Sequence, residues 1–309
     1  MRIASLLASG TEIIYALGIG DRLVAVSHEC DYPADVLGKP RLTRPRFAHD
    51  GLSSGQIDEA LREALREHGS AYTIDESGLR GCRPDLVLTQ SVCEVCAVSA
   101  PWAERAAAML DPVPAVLSLD AHRIADILDS IRQVGTAAGV EERAVELVTQ
   151  LQDRIAAVVD RVRGADRPTV LGLEWLDPLF VPGHWVPEMF DLAGGELLYG
   201  QPGGRSRQMP WREIEGRDPD VLVIMPCGFN LEATIAEANS HAERLHRLAP
   251  RAVQAGNAFA VDGSAYFSRS GPRIVTGIEL LGAMLHPDRC GRYSLDGAAV
   301  PWPSAARRS

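Results

Sequence analysis

At 309 residues, 46% of them hydrophobic and 23% charged, the chain is long enough for two domains with a core in each. Its formal net charge of -10 argues against a nucleic-acid binder that works by neutralising phosphates. No stretch reaches the ~18 consecutive apolar residues of a membrane-spanning helix, so no membrane insertion is expected.

The first half alternates short apolar runs with amphipathic segments. "RIASLLA" reads as a strand, and Thr11 as the cap of a helix through "EIIYALG". Arg2 followed by an apolar run resembles a signal peptide, but Glu12 interrupts that run and no lipid-carrying cysteine follows. The segment is therefore read as mature structure, and the chain is expected to be cytoplasmic. "LVAVS" at 23–27 is the next strand. Residues 56–69 form a helix with apolar Ile57, Leu61 and Leu65 on one side. "PDLVLTQ" contains a strand at 86–89, followed by a helix at 101–110, a strand at 113–118 and a helix at 122–139. Repeated strand–helix alternation predicts a parallel sheet covered by helices on both faces.

Residues 141–164 hold no proline, and Leu147, Leu151, Ile155, Val158 and Val162 fall on one stripe. A helix of this length spans about 35 Å, which suits a strut between two lobes. The pattern then restarts. Strands are read at 169–175, 219–226 and in "AFAVDG"; helices are read at 185–194, 230–249 and 271–285, with a short one in "WREIEGRD". The fold class is thus α/β, with two three-layer lobes whose parallel sheets are joined by one long backbone helix. The expected boundaries are 1–140 for the first lobe, 141–164 for the helix, 165–290 for the second lobe and 291–309 for a loosely packed tail.

These segments resemble the helical-backbone class of binding proteins that serve metal-chelate, siderophore and cobalamin importers. The resemblance rests on "RIASLLASGTEIIYALGIGDRLVAVSHECDYP", "GLRGCRPDLVLTQ", "WVPEMFDLAGG", "MPWREIEGRDPDVLVIM" and "YFSRSGPRIVTGIELLGAML". It implies a ligand between the lobes, cobalamin before others, only small lobe movements, and a transporter or enzyme as protein partner. It also places Tyr32, Tyr266 and Phe267 at the cleft. The lack of a visible export signal and the presence of cysteines at strand ends depart from the pattern.

In a parallel sheet, ligands sit beyond the carboxyl ends of the strands. Cys30, Cys93, Cys96 and Cys227 all follow predicted strands, whereas Cys82 and Cys290 do not. Four thiolates can hold zinc or a [4Fe-4S] cluster. The same cysteines can instead be small buried residues, and Cys93 with Cys96 a redox dithiol. His28 and Glu29 stand beside Cys30 as further candidate ligands or their supports. Aromatic side chains for a flat ligand are Tyr32, Trp175, Trp185, Phe229, Tyr266 and Phe267. His184 is a candidate axial ligand to a metal centre. Arg205 and Arg207 in "PGGRSRQ" could hold an anionic group, although no nucleotide motif is present. No nucleophile elbow or catalytic triad is visible. Ligand binding without catalysis is therefore expected, with a cytoplasmic Fe–S or zinc enzyme as the alternative.

Overall fold

A computed structural model describes residues 1–47, 51–92 and 98–303. The first lobe is built on a four-stranded parallel sheet in the order Leu23–Val26, Ile3–Ser5, Leu86–Thr89, Ala115–Ser118. Its central strand Ile3–Ser5 is fully buried, as continuous apolar runs between two helix layers should be. The second lobe has a sheet in the order Glu196–Leu197, Thr169–Leu173, Val221–Ile224, Ala258–Val261, Ala299–Pro301. All pairings in it are parallel except the last. The fold is therefore two α/β lobes with parallel sheets.

The helix Glu141–Val162 joins the lobes, a length of about 33 Å at the usual rise. It packs on Ile124–Ala138 of the first lobe and on Ile274–Leu285 of the second. Ala144, Val148, Leu151, Val158 and Val162 form its buried stripe, with Leu147 and Ile155 packed at the margin. One apolar cluster runs from Ile3 of the first lobe through this stripe to Leu285 of the second. The two lobes thus share a core along the strut, which limits hinging there.

Three sequence expectations are corrected. The first helix spans Ala8–Ala16, not a segment capped by Thr11; Thr11 lies inside it, fully buried, with its hydroxyl 3.1 Å from Cys30 Sγ. The strand expected at 169–175 ends at Leu173, and Trp175–Leu176 belongs instead to a small antiparallel sheet, paired to Leu179–Val181 and through that strand to Arg207–Gln208. Within the described part of the tail expected to be loose, Ala299–Pro301 instead adds an edge strand to Ala258–Val261. Trp302 beside it is 2% exposed, and its indole N–H donates to Asn239 Oδ1.

Candidate functional site

A cleft of about 500 Å³ opens between the lobes. Its second-lobe wall carries Trp175, Phe180, His184, Trp185, Cys227 and Phe229. Trp175 and Phe229 meet edge to face, with ring centroids 5.1 Å apart. Phe229 follows the strand Val221–Ile224 in a turn where its backbone N–H donates to Pro226 O, and Trp175 begins the added hairpin after Thr169–Leu173. Strand carboxyl ends therefore deliver this wall, as the topology predicts. Trp185 is 8% exposed, and its indole N–H donates to Phe267 O over 2.9 Å.

His184 has a φ of 53°, a left-handed conformation that is uncommon for a non-glycine residue. Its carbonyl accepts from Gly203 N–H at 2.9 Å, and its own N–H donates to Gly204 O, so the glycine loop fixes it. Among the described residues nothing hydrogen-bonds its buried Nδ1. Burial lowers its pKa, with help from His122 and Arg205, and keeps the imidazole neutral as a metal ligand must be.

The first-lobe wall was only partly legible. His28 and Glu29 line it, as do Phe47, Tyr72, Ile57 and Leu61. Thr43 Oγ1 accepts the His28 backbone N–H at 3.0 Å and gives its own proton to Ser27 Oγ. The 2.7 Å contact at His28 Nδ1 is then a ring N–H donated to Thr43. The other ring nitrogen, Nε2, is buried 3.2 Å from Glu29 Oε1. Ile57, Leu61 and Leu65 recur along one face of the helix Ser54–His68, but that face turns to the cleft and not to the core. Periodicity reveals an apolar face without revealing what covers it.

Several expected site residues lie elsewhere. Phe267 is 2% exposed and belongs to the core. Tyr32 is exposed, under the Arg273 guanidinium at 4.2 Å, and Tyr266 is 5.8 Å from the same group. Arg273 and Arg269 turn to Glu12 and Asp31. Only Ser206 of the 202–208 loop lines the cleft; Arg205 and Arg207 do not, and Arg207 reaches Met209 Sδ instead.

The cysteines separate in the same way. Cys227 lines the cleft, but Cys30 is 1% exposed within the core. Burial pushes the Cys30 thiol up to about 11, partly offset by its bonds to Thr11 and Ser27 and by Arg269 and Arg41. A metal needs the thiolate, so this corner of the expected four-sulfur site is ill suited. Cys93 and Cys96 lie outside the described residues. Among the described residues, no group of three or more His, Cys, Asp or Glu is arranged to hold a metal ion. Iodoacetamide at about pH 8 is expected to leave Cys30 unmodified in the folded protein and to label it in urea, as mass spectrometry would show. Native labelling of Cys30 would contradict the burial described.

The sequence matches the family described as periplasmic binding protein over residues 3–263. It is 24% identical to the uncharacterized ABC transporter substrate-binding lipoprotein YvrC of Bacillus subtilis (strain 168), covering 93% of this chain and 80% of the relative. It is 24% identical to a vitamin B12-binding protein of Vibrio cholerae, covering 90% and 86% respectively. Among solved structures, the periplasmic heme-binding protein RhuT from Roseiflexus sp. RS-1 in apo form superposes with a TM-score of 0.67 at 21% identity, over 94% of this chain and 98% of that one. The periplasmic vitamin B12 binding protein BtuF of Vibrio cholerae gives a TM-score of 0.67 at 20% identity, over 92% and 96%. These findings overturn the expectation of a cytoplasmic chain: the relatives are named as a lipoprotein and as periplasmic proteins. No helix among the described residues is long and apolar enough to cross a membrane.

Proposed function

The chain belongs to the periplasmic binding protein family, and we propose that its interlobe cleft binds a flat metal chelate, a corrinoid such as cobalamin first of all, for delivery to an importer outside the cytoplasm. The observation that carries this reading is the apolar cleft walled by Trp175, Trp185 and Phe229, with two histidines, His28 and His184, on opposite lobes. The aromatic faces suit a large planar macrocycle, and an imidazole nitrogen suits its metal. The charge of the lining favours a corrinoid over a haem. Among the described lining residues, Glu29, Asp58 and Glu174 are acidic, while Arg62 is the one arginine and pairs with Asp58 at 2.8 Å. Amide groups on a corrinoid rim can donate to carboxylates, whereas haem propionates would be repelled.

Titrating the purified protein with cyanocobalamin and, separately, with haemin tests this by visible absorbance. Cyanocobalamin is expected to bind at micromolar concentration or below, and His184→Ala to weaken it about tenfold, equivalent to ~1.4 kcal/mol. Tighter binding of haemin would overturn the corrinoid assignment, and binding of neither would overturn the ligand class.

A cysteine-held zinc or Fe–S centre, with or without an enzymatic role, is the competing reading, supported by Cys227 on the cleft and the 93/96 spacing. The burial of Cys30 opposes it. Iron or zinc in the purified protein that disappears in Cys93→Ser would favour it.

A further inference from the structure

We propose that the helix Ser54–His68 is the movable wall of the cleft, and that Asp177 and Glu237 of the second lobe hold it closed. The helix lies between the paired strands Thr43–Pro45 and Tyr72–Ile74, an excursion from the first lobe's sheet. None of its side chains belongs to the three apolar core clusters. Ile57, Leu61 and Leu65 line the cleft. The helix also packs against the second-lobe strand Trp175–Leu176, on the opposite side of the cleft.

The attachment is made at the amino end of the helix. The fully buried Ser54 hydroxyl donates to Glu237 Oε1, and Glu237 is itself 7% exposed. The same oxygen is 3.1 Å from His241 Nε2. One residue on, Gly55 rests on Asp177: a Cβ there would stand 2.7 Å from Asp177 Oδ2. Two second-lobe carboxylates thus face the positive end of a first-lobe helix, where partial charge favours them. The capping box of Ser53 and Gln56 satisfies that end locally, so the helix can detach without unwinding. Its other end closes at Gly69, whose φ of 67° suits a pivot without side-chain strain. Because the bridging helix shares one core with both lobes, releasing this wall is a less costly route into the cleft than hinging the lobes apart.

Ser54, Asp177 and Glu237 are positioning residues, and hydrogen exchange of the unliganded protein tests them. Ser54→Ala and Glu237→Ala are each expected to raise exchange at 54–68 at least tenfold and to leave 86–89 and 169–173 unchanged. Exchange in the double variant should rise by less than the two single effects combined, since both remove the same Ser54–Glu237 bond. Gly55→Val, which displaces Asp177 sterically, should give the same local rise. Unchanged exchange at 54–68, or a rise spread evenly through both lobes, would overturn the latch. The effect on release rests on the ligand reading above: cyanocobalamin should leave Glu237→Ala at least tenfold faster than wild type. Protein that shows the local exchange rise but binds neither cyanocobalamin nor haemin keeps the latch and loses the ligand assignment. Protein that binds cyanocobalamin with no exchange response does the reverse.

Discussion

Glu12→Ala is expected to destabilise the chain by about 3–5 kcal/mol, one of the largest effects of any single substitution in it. Glu12 is 3% exposed in the first helix and receives both arginines that precede the helix Ile274–Leu285. Arg273 donates to it through Nε at 3.0 Å and through a terminal nitrogen at 2.6 Å, and Arg269 reaches it at 3.2 Å. Removing the carboxylate strands these guanidinium groups, whose side chains are 18% and 9% exposed, in a place with little water. Arg269 keeps Asp31 and the Glu29 carbonyl, whereas Arg273 keeps the faces of Tyr32 and Tyr266 and the more distant charges of Asp31 and Asp262 but no described side-chain hydrogen bond. The penalty comes from the uncompensated charge more than from the lost pair. Glu12→Gln retains an acceptor and should cost less. Urea unfolding followed by circular dichroism measures both, and a loss below about 1 kcal/mol for Glu12→Ala would show that water reaches the cluster.

The same cluster fixes the sign of an acid response. Partial burial raises the Asp31 pKa, but the hydrogen bonds and charge of Arg269, with Arg273, outweigh it and hold the carboxyl below its ordinary value. A carboxyl lowered by folding contributes stability above its unfolded pKa and loses that contribution as pH falls through the folded value. Asp31 is largely exposed, so its share is modest.

Where the sequence pattern reported a single physical quantity, it located structure well. The buried runs after Pro84 and Pro219 form the strands Leu86–Thr89 and Val221–Ile224 between two helix layers, and the leucine and valine stripe at 141–164 forms one long helix. The added hairpin at 175–181 was illegible because its strands hold two and three residues, too few for a period to register. The site divided along the same line. The strand-end rule brought Trp175, His184, Trp185, Cys227 and Phe229 to the cleft because a residue's distance from a sheet edge follows from sequence. The rule does not fix side-chain direction. Phe267 sits close to the cleft but points into the core, and Cys30 turns towards Thr11. Phe47 and Tyr72 were missed because neither follows a strand of the main sheet; they reach the cleft from the excursion that also carries the wall helix.

Trp185 joins the core and the cleft in one side chain, so its two variants separate stability from binding. Trp185→Ala is expected to cost about 3–5 kcal/mol, the range for emptying a buried large aromatic site. It should also abolish cyanocobalamin binding, since the ring forms cleft wall as well as core. Trp185→Phe keeps most of the apolar surface but removes the N–H that satisfies Phe267 O. That variant should lose about 1–3 kcal/mol, the cost of leaving a buried carbonyl without its donor. It should still present an aromatic face to the ligand, and so bind cyanocobalamin within about tenfold of wild type. If Trp185→Phe is as stable as wild type, the Phe267 carbonyl has found another donor. If it is stable and nevertheless fails to bind, the indole contributes more to recognition than a flat apolar face. The pair therefore distinguishes a wall that holds its ligand by shape from one that holds it by a specific polar contact, which the difference in unfolding midpoint and the difference in affinity would report independently.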